Sequence, residues 1–97
     1  MTNLEIVAML RELATLLQKK KESWFKIRSY LKVADEIEKT QPDLEKMARE
    51  NRLREIPGVG DAIEKKINEM LSTGKLQLIE RLKKEIAETT DEQTAKS

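Results

Sequence analysis

The sequence predicts an all-α fold, a small bundle of about four to five helices. Three observations carry that expectation. Apolar residues recur three and four positions apart through most of the chain, and no stretch alternates with a period of two. Two prolines and three glycines in 97 residues leave little room for the many turns of a β fold. Those few breakers fall where one apolar repeat stops and the next begins, at Pro42, at Pro57-Gly58-Val59-Gly60 and at Gly74.

The first helix opens at Thr2-Asn3-Leu4-Glu5, the pattern of a capping box in which the Thr2 hydroxyl and the Glu5 carboxylate satisfy opposite backbone donors. Leu4, Val7, Leu10, Leu13, Ala14 and Leu17 form its apolar stripe, widened by Ile6 and Met9, and it ends near Gln18. Lys19-Lys20-Lys21-Glu22 is a polar connection. Ser23 suits the N-cap of the second helix, whose apolar face is Phe25, Ile27, Tyr30, Leu31, Ala34 and Ile37. Trp24 and Phe25 at its entrance are expected to anchor the core. Gln41-Pro42 stops that helix, and Pro42 suits the first turn of a short third one carrying Leu44, Met47 and Ala48. Residues 51–56 add a further short turn of helix. The helix after Gly60 carries Ile63, Ile67, Met70 and Leu71 and stops at Gly74, a good residue just past a helix end. Leu76, Leu78, Ile79, Leu82 and Ile86 make the last helix. The domain is expected over residues 1–87, with the polar, aperiodic residues 88–97 as a disordered tail.

Composition excludes several chemistries. There is no Cys and no His, which removes disulfides, thiolate or imidazole metal sites, Cys nucleophiles and Ser-His triads together. Lys or Arg recurs too often for a long apolar run, so no signal peptide or membrane span is expected, and a cytoplasmic location is the default. Net charge is +1, but it is unevenly placed. Residues 19–32 carry Lys19, Lys20, Lys21, Lys26, Arg28 and Lys32 against Glu22, a net +5, whereas residues 33–50 sum to −3. A basic band of this kind can follow a phosphate backbone even in a near-neutral chain, or it can be a solvated helix start.

The stretch from Leu53 to Ile67 organises the chain. Pro57 forbids helix continuation, and Gly58 and Gly60 permit unusual backbone conformations and close approach of another molecule. Leu53, Ile56, Pro57, Gly58, Val59, Gly60 and Ala62 resemble the helix-hairpin-helix DNA-binding motif, an apolar pair, Pro-Gly-apolar-Gly and a following Ala. Backbone N–H groups of the hairpin and of the next helix's first turn would then favour an anion. The same spacing also fits a glycine turn between two core helices with no ligand.

A wider resemblance runs through Asn3-Leu4-Glu5-Ile6, Trp24-Phe25-Lys26-Ile27-Arg28-Ser29-Tyr30, Ala34, residues 56–67 and Leu71-Ser72-Thr73-Gly74-Lys75-Leu76. These look like the N-terminal domain of family X DNA polymerases, the family of DNA polymerase beta and bacterial PolX. The resemblance spans nearly all of residues 2–82 and implies a small helical bundle with one helix-hairpin-helix. Neither the polymerase palm nor a second helix-hairpin-helix follows, and the polar tail favours a stand-alone protein over a stretch cut at a domain boundary. No nucleotidyl transfer follows from these residues.

By that resemblance the partner is DNA, gapped or nicked and carrying a 5′ phosphate, in DNA repair, with no membrane involved. The phosphate contacts would be Gly58, Val59, Gly60, Lys65 and Lys66, with Lys26, Arg28 and Tyr30 beside them. No cofactor is implied except a monovalent cation, Na⁺ or K⁺, held by the backbone carbonyls of Arg54, Ile56 and Val59. Lys66 matches the nucleophile with which some family members remove a 5′-deoxyribose phosphate through a Schiff base. On a helix it lies roughly 85° from the middle of the apolar stripe, at the edge of the apolar face. Three family features are missing. Ala62 replaces a phosphate-binding Lys, Leu78 replaces a further basic residue, and Lys65 replaces an acidic neighbour. The sequence therefore leaves three readings: a DNA-binding module, a residual lyase acting through Lys66, and an interaction or structural module that keeps the fold alone.

Overall fold

A computed structural model describes the backbone of residues 1–96 and the side chains of residues 1–88. Among the described residues the chain is all-helical, as the sequence predicts. In order come α1 (Asn3–Lys19), α2 (Trp24–Thr40), α3 (Leu44–Arg49), a single 3₁₀ turn (Leu53–Glu55), α4 (Asp61–Thr73) and α5 (Gln77–Lys96).

The capping box forms at the start of α1. Thr2 Oγ1 accepts the Glu5 N–H at 3.2 Å, and Glu5 Oε1 accepts the Thr2 N–H at 3.2 Å. The short connection after Lys19 turns α2 back against α1, and these two helices form the main packing pair. Ile6, Leu10 and Leu13 of α1 meet Val33, Ala34 and Ile37 of α2 in a fully enclosed layer. Arg11 ties the outer rim of that pair, donating to Asp35 Oδ1 at 3.0 Å and to Glu38 Oε1 at 2.9 Å. Leu44, Leu53, Ile67, Met70 and Leu76 complete the core from the shorter elements.

Expectations about four residues are corrected. Leu4 is 67% exposed, because it precedes Ile6 by two residues and so projects about 200° round the helix from it. Trp24 and Phe25 do not anchor the core but are 56% and 83% exposed. The buried stripe of α2 begins at Ile27 and continues through Tyr30, which puts Phe25 on the outer side and Trp24 at the helix end. Pro42 lies outside the third helix. Asp43 is its N-cap and accepts the Lys46 N–H at 3.1 Å, while the Pro42 carbonyl accepts from Asn3 Nδ2 at 2.7 Å and ties α3 to the start of α1.

Helical backbone in α5 continues through residues 88–96, which the sequence reading leaves as a tail. Among the described residues, Ile86 is the last apolar side chain packed against the core. Ser97 lies outside the described residues.

Candidate nucleic-acid interface

The hairpin is built on a tight turn. Ile56 accepts the Val59 N–H at 3.0 Å, with Pro57 and Gly58 at the two central positions and Gly58 at φ +92°. Proline first and a positive-φ glycine second is the type II pattern. A Cβ at Gly58 would also stand 3.2 Å from Val33 Cγ2, so the hairpin seats directly on α2. Lys32 Cδ lies 4.0 Å from the same point, which brings Lys32 alongside the turn.

Gly60 plays a different part. At φ −105° and ψ −166° its backbone is ordinary extended chain, and a Cβ there would meet nothing within 4 Å. Its carbonyl accepts the Glu64 N–H at 2.9 Å and starts α4. The N–H groups of Gly60, Asp61, Ala62 and Ile63 have no partner among the described residues. They sit at the positive end of a 13-residue helix, where an anion is favoured.

The residues that carry those donors border a cleft of about 390 Å³ between the hairpin and α2, lined by Phe25, Lys26, Ser29, Tyr30, Gly58, Gly60, Asp61, Ala62 and Ile63. Gly58, Gly60, Lys26 and Tyr30, expected together from sequence, do meet here. Lys66 of α4 does not line the cleft but contacts Tyr30, which does. Its side chain is half-buried, with Nζ 5.8 Å from the centre of the buried Tyr30 ring. Lys26, Lys32 and Lys66 have no carboxylate partner among the described residues and can offer their charge to a ligand.

Other expected residues are placed elsewhere. Val59 is buried and its N–H is taken up by the turn, so it supports the hairpin rather than donating. Arg28 lines a separate groove along α2 with Lys32, Asp35 and Lys39, not the hairpin cleft. Lys65 is paired with Asp61, Nζ to Oδ2 at 3.2 Å. Leu78 packs against the core, and Ala62 presents no charge to the cleft. Of the three carbonyls suggested for a cation, Ile56 already accepts one turn hydrogen bond and keeps a second lone pair, while Arg54 and Val59 accept none from backbone among the described residues. Neutral oxygens of that kind suit a hard monovalent ion.

Sequence reasoning missed an ion network across the hairpin. Arg54 reaches from the 3₁₀ turn to α4, with Nη2 2.7 Å from Asp61 Oδ1 and Nε 3.1 Å from Glu64 Oε1. No helical spacing links residues seven and ten apart across a turn. The Lys65–Asp61 pair was visible as an i, i+4 spacing of opposite charges. No helix among the described residues is long and apolar enough to cross a membrane. A family model described as a helix-hairpin-helix domain matches residues 1–76, which takes in everything from α1 through α4. No curated protein matches the chain.

Proposed function

The chain belongs to the helix-hairpin-helix domain family, and on that premise we propose that it is a DNA-binding module gripping the phosphate backbone without strong sequence preference. The observation that carries this reading is the cleft that brings Gly60, Asp61 and Ala62, whose backbone N–H groups are unpartnered among the described residues, together with Lys26, Tyr30 and Gly58. Backbone donors read phosphate and carry no base information, so affinity would depend on charge and strand geometry. The likeness to the N-terminal domain of family X polymerases narrows the ligand to gapped or nicked DNA with a 5′ phosphate and the setting to DNA repair in the cytoplasm. A monovalent cation on the Arg54, Ile56 and Val59 carbonyls would stiffen the hairpin. The test is titration of gapped DNA, with and without the 5′ phosphate, over a range of salt. Each phosphate neutralised should contribute roughly −0.9 to the slope of log K against log salt. The slope expected is shallow, since few free cations line the cleft. Salt-independent binding, or none at low salt, would count against the proposal.

The Lys66–Tyr30 contact favours a second reading, slow removal of a 5′-deoxyribose phosphate. Lys66 Nζ would attack the C1′ aldehyde and lose water to form an imine. Loss of a C2′ proton to water would then break the C3′–O bond and free the downstream strand with its 5′ phosphate, and hydrolysis of the imine would release the unsaturated sugar phosphate and restore the lysine. With Ala62 in place of a cation, phosphate capture would be weak, so turnover would be slow. The third reading, an interaction module that keeps the fold alone, is what failure of both assays would leave.

A further inference from the structure

Asp61 carries a negative charge at the start of the helix whose free N–H groups form the proposed phosphate site. It is the first residue of α4 and lines the cleft beside Gly58, Gly60 and Ala62. Both its oxygens are occupied, Oδ1 by Arg54 Nη2 at 2.7 Å and Oδ2 by Lys65 Nζ at 3.2 Å. A helix N-terminus flanked by two cations favours an anion, and here the chain supplies its own. The side chains of Arg54, Asp61 and Lys65 are 55%, 61% and 76% exposed, so these pairs are individually weak and free to exchange. Resting on the reading of this cleft as a phosphate site, we propose that Asp61 is an internal competitor. Its carboxylate sets a negative charge beside the free N–H groups, occupies Lys65 and shares Arg54 with Glu64 until a phosphate displaces it. It thereby lowers affinity for every DNA and penalises a phosphodiester more than a terminal phosphate. The terminal group carries a charge of about −1.5 to −2 at neutral pH and outcompetes a singly charged carboxylate, which a diester merely matches.

The test is equilibrium titration of wild type, Asp61→Asn, Arg54→Ala/Lys65→Ala and the triple variant on gapped DNA with and without a 5′ phosphate. Asp61→Ser, which also suits a helix start, guards against a defect peculiar to one substitution. Asp61→Asn is expected to bind about tenfold more tightly at low salt, through one repulsion removed, Lys65 released and Arg54 left with Glu64 alone. Its advantage for the 5′-phosphorylated DNA should narrow, and its salt slope should steepen by roughly 0.9 for each released cation that meets a phosphate. In the Arg54→Ala/Lys65→Ala background the gain should shrink to about threefold, the effect of removing one nearby charge in water. Equal gains in both backgrounds, or wild-type affinity in Asp61→Asn and Asp61→Ser, would overturn the competitor role and leave the DNA-binding reading intact. No binding by any variant at low salt would overturn both. Binding by Asp61→Asn where wild type shows none would support the competitor role in its strongest form.

Discussion

Lys66 Nζ lies 5.8 Å from the centre of the Tyr30 ring, joining the flank of α4 to the buried face of α2. That is within cation–π range, an attraction of about 0.5–1 kcal/mol at a partly exposed site. The contact holds the amine beside Tyr30, a residue that lines the hairpin cleft. Any borohydride trapping that the wild type shows on incised abasic DNA should fall to background in Lys66→Ala and persist in Lys65→Ala, and no trapping by wild type would leave a binding module alone. Equal trapping by Lys66→Ala would remove Lys66 from any covalent step.

The two hairpin glycines should separate folding from binding. Gly58→Ala places an L side chain at φ +92° and crowds Val33 at 3.2 Å. A loss of about 1–2 kcal/mol in urea unfolding is expected from the backbone conformation alone. Gly60→Ala meets no neighbour, and its stability should stay within about 0.5 kcal/mol of wild type. Its methyl group narrows the approach to the Gly60 and Asp61 N–H groups, so DNA affinity should drop several-fold while the unfolding midpoint holds.

Much of this was legible because local rules and tertiary packing agree. The Thr2–Glu5 capping box, Gly58 in a turn that needs positive φ, Gly74 past the end of α4 at φ +74° and the Ile63, Ile67, Met70 stripe all stand as the sequence indicates. The failures came where a residue type suggested burial and helical phase decided otherwise. Phe25 precedes Ile27 by two positions, and that phase alone turns it outward. The same argument separates Lys26 from Arg28, so one lysine reaches the hairpin cleft while the arginine two residues on faces another groove. The Arg54–Asp61 pair depends on how sharply the hairpin folds back, which no spacing rule encodes.

Lys21 offers a stabilising substitution. The end of α1 is a Schellman motif, with the Glu22 N–H on the Leu17 carbonyl at 2.9 Å and the Lys21 N–H on that of Gln18 at 3.0 Å. The motif holds Lys21 at φ +58°, a conformation that costs a side chain energy and glycine nothing. Lys21→Gly should raise stability by about 0.5–1 kcal/mol, read as a higher urea midpoint at unchanged slope. Asn51 occupies the equivalent place after α3, and its residue type tolerates it.

Acid should destabilise the fold through named carboxylates. Hydrogen bonds from Arg11 hold Glu38 below the ordinary value of 4.5, those from Arg52 do the same for Glu55, and the Thr2 backbone N–H does so for Glu5. Each group is more acidic folded than unfolded, so the unfolded chain binds more protons in the acidic range. Their contribution is present above the unfolded value and is lost as pH falls through the folded one. The melting temperature should hold between neutrality and about pH 5 and decline below about pH 4.5. Glu38→Gln should lower stability at neutral pH and flatten the acid decline, a pair of changes that thermal melts across pH will show.

The central claim is that the hairpin's own backbone receives the phosphate. The most direct measurement is amide chemical-shift perturbation on titrating isotope-labelled protein with 5′-phosphorylated gapped DNA at low salt. The largest shifts are expected at the amides of Gly60, Asp61, Ala62 and Ile63, whose N–H groups are unpartnered, with smaller ones at Lys26 and Tyr30 across the cleft. The amides of α3 should barely move. Shifts that cluster on α3 or α5, or an unperturbed hairpin under conditions where binding is measured, would contradict the account.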